Sequence, residues 1–193
     1  MMPIMFLLLW IIILILLKKL NMHFFKFIIG SVGLFCFLMF FFRAWSEVYL
    51  EYGLTYVVSL IGKLTGILVA FPENSMITIY YKVNAISFFI DYECSGFIES
   101  CVYVSVLIFY PIYKFTEKVK YFFGGVVFIL ICNIIRIIFI CILSKILGGN
   151  LFFFIHTVFA RILFFTLMVI LYYYVFTMPH ILRQKVGDFK YDK

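Results

Sequence analysis

The sequence predicts an all-α polytopic membrane bundle of about five to six transmembrane helices, with a small extracytoplasmic β-hairpin ahead of Cys94. Three observations predict it. Apolar residues make up 66% of the 193 and charged residues 13%, where soluble domains carry roughly 45 to 50% and about 25%. Several apolar runs approach the roughly 20 residues that cross about 30 Å of hydrocarbon. Basic residues collect in alternate gaps between those runs, as the positive-inside rule requires. The net charge of +7 therefore reports topology, and no basic stripe with interleaved aromatics points to nucleic acid.

Apolar length and charged flanks place spans at about 2 to 17, 25 to 42, 97 to 113, 123 to 142 and 154 to 174. The first run is followed, not preceded, by Lys18 and Lys19, the reverse of a cleavable signal, so a retained span is expected. One set of gaps holds Lys18, Lys19, Lys26, Lys114, Lys118, Lys120, Arg183, Lys185, Lys190 and Lys193, ten of the 16 basic residues. The other set holds Arg43, Lys63, Lys82 and Lys145, and Arg136 and Arg161 lie inside spans. The amino terminus is thus expected outside and the carboxyl tail in the cytoplasm. The chain reads as one integral-membrane domain: two spans in 1–42, an extracytoplasmic or interfacial segment over 43–96, core spans in 97–176 and a basic tail over 177–193.

Within 43–96, Glu47, Glu51, Thr55, Ser59 and Lys63 recur every four residues, a polar stripe on an otherwise apolar helix. The helix either lies on the outer interface or forms a sixth span with the stripe turned to the bundle. The stretch Met76 to Tyr92 is rich in Ile, Tyr, Val and Phe and predicts a β-hairpin, turning at Val83, Asn84 and Ala85.

Four of the five cysteines, Cys36, Cys101, Cys132 and Cys141, lie in apolar runs, where thiols serve as small hydrophobes. No CxxC pair is present, which argues against a disulfide framework and a thiol oxidoreductase. Cys94 differs, standing in Asp91-Tyr92-Glu93-Cys94-Ser95-Gly96 where a strand hands over to a span. It is either a structural thiol or a nucleophile at the outer interface, with a helix amino terminus favouring its thiolate and acidic neighbours opposing it.

Arg136 lies within a span, where a guanidinium costs about 2.5 to 3.5 kcal/mol on insertion scales. It either snorkels to the surface or is held by a partner. With Lys145 in water it lies about 9 Å below the outer boundary. Asn133, one turn earlier on the same face, can bond the guanidinium or share its partner. Arg161 is inside the next span, but that helix tilts its side chains outward, so snorkelling explains it more simply. His156 begins the same span at the level of Cys94, either as an interfacial polar group or as a base beside the thiol.

Taken in order, Glu93-Cys94-Ser95-Gly96, Asn133-Ile134-Ile135-Arg136 and His156, each beside an outer membrane boundary, resemble the exosortase/archaeosortase family over roughly residues 50 to 176. The resemblance implies a membrane cysteine peptidase or transpeptidase that needs no cofactor or metal. It implies Cys94 as nucleophile, Arg136 orienting substrate or stabilising the oxyanion, and His156 as acid/base, with Asn133, Ser95 and Gly96 in support. The partners it implies are secreted proteins carrying a carboxyl-terminal motif, a transmembrane helix and a basic cluster, with water or an amine such as a membrane lipid head group as acceptor. Many family members have more spans or an added soluble domain, so this chain reads as a minimal core. The competing expectation is a non-enzymatic membrane assembly or transporter subunit in which Arg136 and Asn133 merely join helices.

Overall fold

The computed structural model describes residues 2–81, 84–92 and 94–185. Lys82, Val83, Glu93 and the end of the basic tail with Lys190 and Lys193 fall outside the described residues, as do the side chains of Glu47, Arg183 and Lys185. The chain folds into helices α1 (Met2–Lys19), α2 (His23–Trp45), α3 (Glu51–Thr65), α4 (Phe97–Phe109) and α5 (Phe115–Leu147), followed by a C-terminal helix, Gly149–Leu182. Strands β1 (Val69–Phe71), β2 (Met76–Tyr81) and β3 (Asn84–Phe89) intervene between α3 and α4.

Among the described residues three helices are long and apolar enough to cross a membrane: α2, α5 and the C-terminal helix. That is the make-up of a membrane-embedded helical protein, with fewer qualifying crossings than the five to six expected. For α4 the difference has a local cause. Tyr110 is extended (ψ 121°) ahead of Pro111, whose ring disfavours helix at the preceding residue, so α4 stops after 13 residues, about 20 Å. Conversely, α5 runs for 33 residues, about 50 Å, because hydropathy marks the hydrocarbon stretch and not the helix around it. The amide of Lys114 donates to Glu117 Oε2 at 2.9 Å and starts α5 well before its apolar part.

No boundary falls between 42 and 43, because the chain stays helical from α2 through a π-helical turn, Ser46–Leu50, into α3. α3 by itself has 15 residues, about 22 Å, short of a full crossing. The middle of its stripe faces the protein: Thr55 and Ser59 are buried, their hydroxyls donating to the carbonyls of Glu51 and Tyr56 at 2.7 and 2.8 Å, while Lys63 is exposed. Its outer face is apolar, with Leu64 87% exposed. Large exposed side chains such as Phe40, Phe153 and Phe165 continue that outward apolar surface elsewhere, the distribution expected where lipid is the solvent.

The expected hairpin forms, with Met76 opposite Phe89 and Tyr81 opposite Asn84. β1 adds a third antiparallel strand, Val69 opposite Thr78, giving the order β1-β2-β3. Two buried cores flank the site. One joins Ile77, Ile79 and Phe88 of the sheet to Val58 of α3, Ile137 and Ile140 of α5, and Ile155. The other joins Tyr103 and Leu107 of α4 to Ile129 and Cys132 of α5 and to Phe164 and Met168. Asn133 and Arg136 lie on α5 between the two cores.

Candidate active site

Cys94 is held by a turn before α4. Its amide donates to both the carbonyl and Oδ1 of Asp91, each at 3.0 Å. Ser95 is fully buried, its hydroxyl donating to the Tyr92 carbonyl at 2.9 Å and accepting from the Phe97 amide at 3.3 Å. Gly96 turns the chain into α4 with φ 79° and ψ 10°, a left-handed conformation suited to a residue without Cβ. A Cβ there would also stand 3.5 Å from Ile129 and 3.7 Å from Asn133, so the turn packs directly onto α5.

From α5, Asn133 Nδ2 donates to the Cys94 carbonyl at 2.7 Å. Of the two expected partners it takes the one shared with Arg136 and not the guanidinium itself. Arg136 is 5% exposed and does not snorkel. Its Nη2 donates toward Cys94 Sγ at 3.7 Å, and its guanidinium carbon lies 5.5 Å from the centre of the Phe164 ring.

His156 Nε2 stands 3.9 Å from Cys94 Sγ. It lies in a π-helical turn, Ile155–Phe159, a local widening that re-aims side chains and recurs at functional sites. The imidazole is oriented by ring packing, stacked on Phe152 at 5.8 Å and 24° and tilted against Phe88 at 6.1 Å. Arg136 and His156 therefore converge on one sulfur, and Asn133 holds the carbonyl of the same residue. The thiol is half-buried, and that burial pushes its pKa up to about 11, outweighing the lowering by Arg136 and reinforced by Asp91. At neutral pH the resting sulfur is a thiol, so nucleophilic chemistry here needs a base.

A cavity of about 500 Å³ opens beside the sulfur, lined by Cys94, Glu99, Arg136, Arg161, Phe164 and Tyr172 among others. Arg161, read from the sequence as a snorkelling residue, thus shares the cavity with Cys94. Sequence reasoning missed Glu99 as a cavity residue, the aromatic cradle of His156, and Arg43, whose guanidinium carbon lies 4.1 Å from the Tyr92 ring centre and ties the end of α2 to the cysteine turn. Asp91 carried a usable signal, because a side chain three residues ahead of the amide it bonds is a common local turn device. Among the described residues no group of three or more His, Cys, Asp or Glu could hold a metal ion. No protein family, curated protein or solved structure matches the chain.

Proposed function

We propose that this chain is an exosortase-like membrane cysteine peptidase or transpeptidase, which cleaves the carboxyl-terminal sorting signal of secreted proteins. The observation that carries this reading is a half-buried thiol with an imidazole nitrogen at 3.9 Å and a guanidinium nitrogen at 3.7 Å, at the mouth of a cavity. His156 Nε2 takes the Sγ proton as the sulfur bonds the scissile carbonyl carbon, and returns it to the leaving amine as the carbon–nitrogen bond breaks. Arg136, a fixed cation beside the reacting sulfur, stabilises the oxyanion or holds the substrate carbonyl. Asn133, Ser95 and Gly96 fix the cysteine turn, and water or an amine then resolves the thioester.

The finer topology belongs to the same proposal. It has five to six crossings, with α4 and its flanks among them, the amino terminus outside and the carboxyl tail cytoplasmic. The active site then lies at the extracytoplasmic face of a prokaryotic plasma membrane, where substrates arrive with a motif, a span and a basic cluster.

The test is intact-mass analysis of surface-protein carboxyl termini in cells with the parent chain or Cys94→Ala. A defined new terminus is expected with the parent and its loss with the variant. Unchanged processing by Cys94→Ala would overturn the proposal.

A further inference from the structure

Glu99 stands in the first turn of α4 and lines the cavity that holds Cys94. An acidic residue in a first turn is favoured by the helix dipole, which accounts for its charge but not for its surroundings. Its Oε2 is shut off from water and receives no hydrogen bond. Its own backbone amide bonds the carboxyl, but one oxygen of this half-buried group is left without a partner, and such an oxygen in a native fold calls for a donor that arrives from elsewhere.

The cations already in the cavity do not fill that place. Arg136 is directed to Cys94 Sγ and the Phe164 ring, and Arg161 makes no hydrogen bond or ion pair among the described residues. Among the described residues Glu99 is the one carboxylate that lines the cavity. A water or hydroxyl group would supply a hydrogen bond but add no charge to the compensation that Arg136 gives from a distance, whereas an ammonium group supplies both.

We propose, building on the acyl-transfer reading above, that Glu99 selects the acceptor which resolves the Cys94 thioester and that this acceptor is a primary amine, bound as its ammonium. The ammonium gives one proton to the Glu99 carboxylate, which frees the nitrogen lone pair. Nitrogen bonds the thioester carbon, the carbon–sulfur bond breaks, and its electron pair returns to Sγ. A second nitrogen proton passes through His156 Nε2 to the sulfur, restoring the thiol and leaving a neutral amide. Glu99 then releases its proton to water. No oxidation or reduction occurs, and water reaching the same carbon yields hydrolysis.

The experiment uses the full chain in lipid nanodiscs, with Cys94 acetylated by p-nitrophenyl acetate. Decay of the acetyl adduct is followed by intact mass in ethanolamine, a cation at pH 7, and in hydroxylamine, which is neutral there. The readout is the ratio of the two decay rates. Glu99→Gln is expected to lower that ratio about tenfold or more, the equivalent of one charge-assisted contact, while Glu99→Asp keeps most of it. An unchanged ratio in Glu99→Gln overturns the proposal. So does an equal fall in Arg161→Gln, which would make Glu99 the partner of that guanidinium. If Glu99→Gln does not accumulate in membranes, the Glu99→Asp ratio decides, and a full tenfold loss there counts against ammonium binding. A parent chain that forms no adduct absent from Cys94→Ala would instead overturn the acyl-transfer reading itself.

Discussion

The sulfur of Cys94 is caught between opposing influences, and their balance makes its reactivity testable. Burial and Asp91 hold the thiol up near 11, and Arg136 pulls it down. Because the thiolate is the reacting form, alkylation of Cys94 by iodoacetamide should keep accelerating with pH well past the range where a free thiol levels off. Arg136→Gln removes the larger of two lowering influences, Arg161 being the other, so the pKa moves further up and alkylation at pH 8 should slow several-fold. Faster alkylation in that variant would mean that Arg136 does not act on the sulfur. His156→Asn should lower peptide processing by about a hundredfold or more, the usual scale for losing a positioned acid/base. Single-turnover release of the cleaved fragment measures it, and near-parent rates would remove His156 from the mechanism. The meeting of Cys94, Arg136 and His156 was legible in the sequence because depth along a helix can be counted from charged ends. What surrounds them was not, since Phe88, Phe152 and Glu99 reach the site through packing between elements far apart in sequence.

At the level of elements, hydropathy located the helices but not their ends. Pro111 cut α4 short, while the polar flank from Phe115 to Tyr121 stayed helical within α5. The hairpin was legible from β-rich composition, whereas β1 is three residues long and exists only because β2 pairs with it. The stripe of α3 was visible too, but its direction depended on the solvent: in lipid the small hydroxyl face turns inward and the apolar face outward. The contact of α4 with α5 turns on a glycine. A Cβ on Gly125 would stand 2.1 Å from the Tyr103 ring, whose hydroxyl donates to the Tyr121 carbonyl at 2.6 Å. Gly125→Ala should therefore cost about 1 to 3 kcal/mol, the range for overpacking a closed core. Thermal unfolding in detergent measures it, and in a Tyr103→Leu background the loss should shrink, since the clashing ring is gone. Equal losses in both backgrounds would show that Gly125 matters for another reason.

For the whole molecule, an outward apolar surface and the proposed extracytoplasmic placement of the site together constrain which thiols a charged reagent can reach. Cys101, Cys132 and Cys141 are buried inside the bundle. Cys36 is exposed, but it lies midway along α2 in an apolar groove with Phe6, Leu7 and Trp10 of α1, surroundings that a charged reagent does not enter. Cys94 alone combines partial exposure with a place beside the sheet, at the end where Lys145 Nζ donates to the Gly66 carbonyl at 3.2 Å. A membrane-impermeant maleimide added to intact cells should therefore label the parent chain once, and Cys94→Ser should abolish the label. Inverted membrane vesicles should give little labelling until they are permeabilised. Because a raised thiol pKa slows the reaction, labelling should also be faster at pH 9 than at pH 7, which separates slow chemistry from blocked access. Rapid labelling of Cys94 from inverted vesicles alone would reverse the proposed orientation and place the cavity on the cytoplasmic side. Protection from both sides at both pH values would make Cys94 an interior thiol and remove the route by which a secreted substrate reaches it.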